Sequence, residues 1–213
     1  MTELRTPRLL LRPWRDADLP AFAAPNADPE VRRWFPGTLT RAESDAQAAR
    51  LREHVAAHGF GFWAVEAPGV APFIGFVGLQ RVAFAAPFTA PFTPAVEAGW
   101  RLARDHWGQG YAAEAARAAL AHGLGPLGLA EVVAFAVPGN LASRRVMERV
   151  GMGHDAGDDF DHPALPEGHP FRRHVLYRAR RDGSRRHLAR TAAAAVDDPV
   201  RCPGRRTPRS AAR

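Results

Sequence analysis

The chain contains no lysine; its 29 basic residues are all arginine. That absence rules out lysine nucleophiles and the lysine-bearing loop of ATP and GTP sites. Cysteine occurs once, at Cys202, which excludes an intramolecular disulfide and fits a reducing cytoplasm as the expected location. No apolar run approaches the roughly 18 residues of a membrane span, so no membrane association is expected. The opening stretch, MTELRTPRLLLRPW, lacks the long apolar segment of a signal peptide.

Charge is present but unevenly placed. The net charge is +7, and eight arginines against Asp197 and Asp198 put six of those charges in residues 183–213. Residues 1–182 are nearly neutral and, in a chain that is 46% hydrophobic, can bury a substantial core. We therefore read one domain over 1–182 and an Arg/Ala/Pro-rich, mostly disordered tail over 183–213. A basic tail can bind nucleic acid, but a solvated appendage is the simpler reading, and nucleic acid is not the expected partner.

Within 1–182 the pattern reads as alternating elements. LRTPRLLLRPW (4–14) reads as a first strand, and Asp16 as the cap of a short helix through Phe22. A loop over Ala24–Leu39 carries Trp34 and Phe35. Thr40-Arg-Ala-Glu43 is a capping box opening a helix to His58 that stops at Gly59. Three strands follow, at 60–67, 72–82 and 95–103, with a proline-rich loop over 85–94 as a candidate pocket rim. After WGQG (107–110) come a helix over Tyr111–Gly123, a buried strand at 131–137, a helix over 140–152 and a last strand at 174–180. This order gives an α/β (α+β) fold, a mixed and mainly antiparallel central sheet with flanking helices.

Two glycines opening a helix make a candidate phosphate cradle. Gly108-Gln-Gly110-Tyr-Ala-Ala113 formally satisfies the dinucleotide fingerprint G-x-G-x-x-G/A. That fingerprint needs a strand running directly into its first glycine and an acid ending the next strand. Here Arg104-Asp-His-Trp107 intervenes, and Glu131 precedes its strand rather than ending it. A third loop type fits better. EAGWRL, a short polar bend, W-G-x-G-Y-A, an alanine-rich helix, a strand and NLASRRVMERVGM together resemble the GNAT acyl-CoA N-acyltransferases, more narrowly their RimJ/RimL-like branch. The resemblance spans residues 4–180.

It implies an enzyme that uses acetyl-CoA as cosubstrate and acetylates a primary amine, a protein N-terminus or a small molecule, by direct attack in a ternary complex. No metal is implied, and monomer and homodimer both stay open. The pyrophosphate would lie on the N–H groups of Gly108, Gln109, Gly110, Tyr111, Ala112 and Ala113, with Trp107 at the first motif position. The pantetheine arm would pair with the strand at Trp100, Arg101, Leu102 and Ala103, and the Leu102 N–H would face the thioester carbonyl as an oxyanion donor. Alternation places Glu97, Gly99 and Arg101 on one strand face. Glu97 is then a candidate general base and acceptor contact, or a structural partner of Arg101.

The family's acid is often a tyrosine seven positions after the motif asparagine; here that position is Met147. Ser143 is the remaining candidate for proton donor or thiolate contact, with helix capping as its ordinary alternative. Asn140 is a cofactor contact or a cap. Trp34 and Phe35 either rim the acceptor pocket or pack into the core. His162, His169 and His174, near Asp158, Asp159 and Asp161, match no compact metal pattern and read as a polar pocket loop. A peptide N-terminus as substrate would give acidic positions of that loop a role. A polyamine or aminoglycoside would need more carboxylates than are evident. The rival reading from another class is a non-catalytic acyl-CoA-binding regulatory module.

Overall fold

The computed structural model describes residues 1–89 and 95–181. Part of the proline-rich loop and the arginine-rich tail, including Cys202, lie outside them. Strands β1 (Leu4–Arg5) and β2 (Leu10–Arg12) lead into helices α1 (Asp18–Ala27) and α2 (Arg41–His58). Then follow β3 (Phe62–Ala67), β4 (Ala71–Arg81), β5 (Val96–Leu102), α3 (Tyr111–Leu124), β6 (Glu131–Ala136) and α4 (Leu141–Arg149). Short strands β7 (Gly153–His154) and β8 (Phe160–Asp161) precede the closing strand β9 (Arg173–Arg180).

One sheet runs β1-β2-β3-β4-β5-β6-β9-β7, with β8 on β9. Its pairs are antiparallel apart from β5–β6, which is parallel and registered at one position, Glu97↔Val133. Helices cover both faces. Against one lie α3 and α4, whose fully buried Ala115, Ala116 and Ala119 let the backbone approach Val96, Ala98 and Leu102. Enlarging one of those alanines to leucine would overpack the contact at a cost of about 1–3 kcal/mol. Against the other face, α1 and α2 bring Phe22, Ala48 and Leu51 onto Phe62, Phe73 and Phe76.

The first 40 residues depart from the sequence reading in two places. Segment 4–14 is a hairpin, Leu4↔Leu11 and Arg5↔Leu10, because Thr6 and Pro7 turn the chain and the Thr6 N–H bonds the Leu9 carbonyl. Asp16 caps nothing; it pairs with Arg52. The helix begins at Asp18, whose carboxylate takes two bonds of 2.8 Å from the buried Arg12 guanidinium and one from the Arg15 N–H. Those bonds to Asp18, with Glu66 adding to them, outweigh burial and hold the Arg12 pKa above its ordinary value. Helix α1 also continues through Pro25 to Ala27 instead of ending at Phe22. Burial of Phe22 and Asn26 against α2 offsets the bond that Pro25 cannot donate. Helix α2 follows its sequence signature: Thr40 and Glu43 form the reciprocal box, and Gly59 closes the helix at φ 75°.

Candidate active site

Between β5, the glycine loop and α4 lies an open cleft of about 440 Å³. Its floor starts at the parallel pair. The Ala103 N–H bonds the Ile74 carbonyl at 2.9 Å, and antiparallel ladders alternate. The backbone groups of Arg101 and Ala103 therefore point to β4, and those of Trp100 and Leu102 point away from it. With β6 registered only at Glu97, the sheet opens beyond that rung, and Trp100 and Leu102 present a bare strand edge to the gap. The Trp107 indole N–H occupies the Leu102 carbonyl at 2.9 Å, which leaves the Leu102 N–H facing the cleft.

The glycine loop follows. Gly108 and Gly110 sit at φ 74° and 80°, a left-handed geometry that only glycine adopts cheaply. The first bond of α3 runs from the Glu114 N–H to the Gly110 carbonyl. From Gly108 through Ala113, six successive backbone N–H groups have no acceptor among the described residues. The loop is clamped from behind by Arg8, which donates to the Gln109 carbonyl at 2.9 Å, lies over the Tyr111 ring and pairs with Glu114 at 2.6 Å. Burial works to raise the Glu114 pKa, but bonds from Thr6 and Arg8 outweigh it and hold the carboxyl below its ordinary range.

On the far wall, Asn140 caps α4 by accepting the Ser143 N–H at 3.2 Å. That bond settles the capping question: the cap is Asn140, and the Ser143 hydroxyl makes no hydrogen bond among the described residues while lining the cleft. Met147, at the tyrosine position, is buried against the sheet. Arg145 and Arg149, one helical turn apart and exposed, also line the cleft. The sequence reading missed both. Their spacing of four, with Ala142 and Val146 completing the i, i+3, i+4, i+7 pattern, puts them on one helix face, a signal that was legible.

Residues expected at the site divide between the two sheet faces. Trp100, Leu102, Trp107, Gly108, Gly110, Tyr111, Ala112, Ala113, Asn140 and Ser143 line the cleft, whereas Ala103 and Gln109 do not. The Ala103 N–H is taken by β4, and the Gln109 carbonyl by Arg8. Arg101 reaches the cleft margin, but its side chain leaves β5 toward α1 and α2. It bonds Asn26 at 2.7 Å and Gln47 at 3.4 Å and lies 4.4 Å from the Phe35 ring centre. With its backbone on β4 and its side chain directed to α1 and α2, Arg101 lines the cleft margin without being part of the bare strand edge. Trp34 and Phe35 line the cleft rather than the core; Trp34 packs on Gly139 and edge-to-face on Phe171.

Glu97 lies two positions from Gly99 on the Arg101 face, outside the cleft lining, and its carboxylate makes no hydrogen bond or ion pair among the described residues. The alternative of a Glu97–Arg101 pair therefore fails, since Arg101 bonds Asn26 and Gln47 instead. Burial pushes the Glu97 carboxyl up to about 7. The described part of the proline-rich loop is not a rim of this cleft: Phe84 and Phe88 pack on Phe135 and Phe160. His162 and His174 join that aromatic cluster, and no group of three potential metal ligands converges among the described residues.

A sheet opened beside a strand edge, with a nest of unpaired amides at a helix start, suits an extended ligand that carries phosphate. The comparisons name the family. Residues 8–153 match the acetyltransferase (GNAT) domain, and the chain belongs to that family, which uses acetyl-CoA. YkkB of Bacillus subtilis (strain 168) is 32% identical over 152 residues, 71% of this chain and 85% of that protein. An acetyltransferase from Agrobacterium tumefaciens str. C58 superposes with a TM-score of 0.65 at 29% identity, covering 84% of this chain and 94% of that one. The coenzyme A complex of RimL, a ribosomal L7/L12 alpha-N-protein acetyltransferase, gives 0.65 at 15% identity over 86% and 100% of the two chains. At that identity the likeness is one of fold.

Proposed function

We propose that this chain transfers the acetyl group of acetyl-CoA to a primary amine by direct attack within a ternary complex. The observation that carries the reading is the run of six acceptor-free N–H groups from Gly108 to Ala113, placed at the end of a bare strand edge. A pyrophosphate satisfies those donors and gains from the positive end of α3. Arg145 and Arg149 add charge for the remaining phosphate of the cosubstrate. The amide-bearing pantetheine arm pairs with Trp100 and Leu102 as an added strand.

The amine nitrogen attacks the thioester carbon, the Leu102 N–H stabilises the oxyanion, and collapse breaks the C–S bond. Glu97 takes the proton of the amine, directly or through water, and Ser143 supplies a hydrogen bond or proton to the leaving thiolate. Positioning and desolvation do the rest. The RimJ/RimL-like branch, supported by the shared fold, points to protein N-termini among the acceptors. The buried Met147 at the usual tyrosine favours a second reading, a non-catalytic acyl-CoA-binding module.

Calorimetric titration of acetyl-CoA, with NADH and ATP as controls, tests the cradle: saturable binding of acetyl-CoA alone is expected. Free-thiol release with an amine then separates enzyme from module. A folded chain that fails to bind acetyl-CoA would sink the proposal.

A further inference from the structure

Asp158 pairs with Arg178, Asp159 with His154, and Asp161 with Arg172 and Arg173, so these acids of the 154–170 loop are already engaged. Two guanidinium groups are not. Neither Arg32 nor Arg101 forms a salt bridge among the described residues, Glu43 acting on Arg32 only at longer range, and both lie over the same ring, Phe35. Arg32 donates through Nε to the Gly37 carbonyl. Arg101 uses only Nη1, on Asn26 and Gln47, while its buried Nε and its Nη2 make no hydrogen bond.

That unused Nε–Nη2 edge grips a carboxylate with two parallel bonds. Its orientation is fixed from behind: Asn26, fully buried, holds Nη1 while its own amide donates to the buried Ser44 hydroxyl at 2.9 Å. A solvated surface arginine would need no such support. Burial first, and Arg32 second, lower the Arg101 pKa to about 9.

Resting on the acetyl-transfer reading, we propose that the acceptor amine also carries a carboxylate, bound by the free edge of Arg101 beneath Phe35 with Arg32 beside it. The carboxylate belongs either to a free amino acid or to an acidic side chain next to a peptide N-terminus. Cationic polyamines are disfavoured by the same charge.

The test uses the full chain, acetyl-CoA and matched acceptor sets, read by free-thiol release. One set is free L-amino acids beside their carboxamides; the other is short peptides with Asp or Glu at the second position beside Asn or Gln. In one set, carboxylates should exceed their neutral twins in kcat/KM by about tenfold or more, as a charged hydrogen-bond pair warrants. The responding set identifies the source. Arg101→Gln should abolish the preference, mainly through KM, and leave acetyl-CoA affinity unchanged by calorimetry. Arg101→Lys, which keeps charge without the fork, should retain only part of it and guards against a folding defect, checked by melting temperature. Equal use of charged and neutral twins, a preference that survives in folded Arg101→Gln, or no turnover of either set while acetyl-CoA still binds overturns the proposal. Failure of the wild-type chain to bind acetyl-CoA overturns the acetyl-transfer reading, and this proposal with it.

Discussion

At the scale of single residues the chemistry rests on groups left without partners. Glu97 has no ion pair among the described residues, and burial raises its carboxyl to about 7, where a base is both available and strong. Its protonated form cannot accept a proton, so kcat/KM should fall as pH drops below about 7. Glu97→Gln should lower turnover by about 10²-fold or more and remove that limb, seen in a pH–rate profile. The Ser143 hydroxyl, unused by the cap, supports a second expectation. Ser143→Ala should reduce kcat with little change in acetyl-CoA affinity, and full activity would leave water as the proton source. The glycine and serine positions at the cleft were legible in the sequence because each carries its own chemistry, whereas Glu97, on its expected strand face, lies outside the cleft lining. The contacts of the Arg101 side chain with Asn26 and Gln47 were not legible, because alternation shows which residues share a face but not what packs against it.

At the scale of elements, the β1–β2 hairpin does more than edge the sheet. Arg8 ties the glycine loop to α3 through Gln109 and Glu114. Arg8→Ala should weaken acetyl-CoA binding by about three- to tenfold, the loss of one or two charged hydrogen bonds that hold the cradle in shape. Calorimetry reads the loss. Glu114 has a lowered pKa, so the clamp is intact above the ordinary carboxylate range and is lost as pH falls through its depressed value. Long elements were readable: α2 through its box and Gly59, α3 through alanine spacing, and β3 to β6 through apolar runs. The hairpin, β7 and β8 were not, because two- or three-residue strands carry no period. Helix α1 ran past Pro25 because burial against α2 outweighs a local rule.

At the scale of the molecule, the single rung between β5 and β6 splits the sheet into two halves that share one crevice. On the proposed reading the cosubstrate takes the α3–α4 side and the amine the α1–α2 side, so that neither blocks the other. With acetyl-CoA bound, hydrogen exchange should slow at Trp100, Leu102 and the amides of 108–113, and little elsewhere; uniform slowing would contradict the added-strand arrangement. Among the described residues these same amides from 108 to 113 find no acceptor. Ligand at about a hundred times its Kd adds roughly 2.7 kcal/mol to stability. On the proposed reading, resistance to proteolysis should rise with acetyl-CoA concentration, a coupling of the protein's lifetime to its cosubstrate that limited proteolysis with and without acetyl-CoA checks.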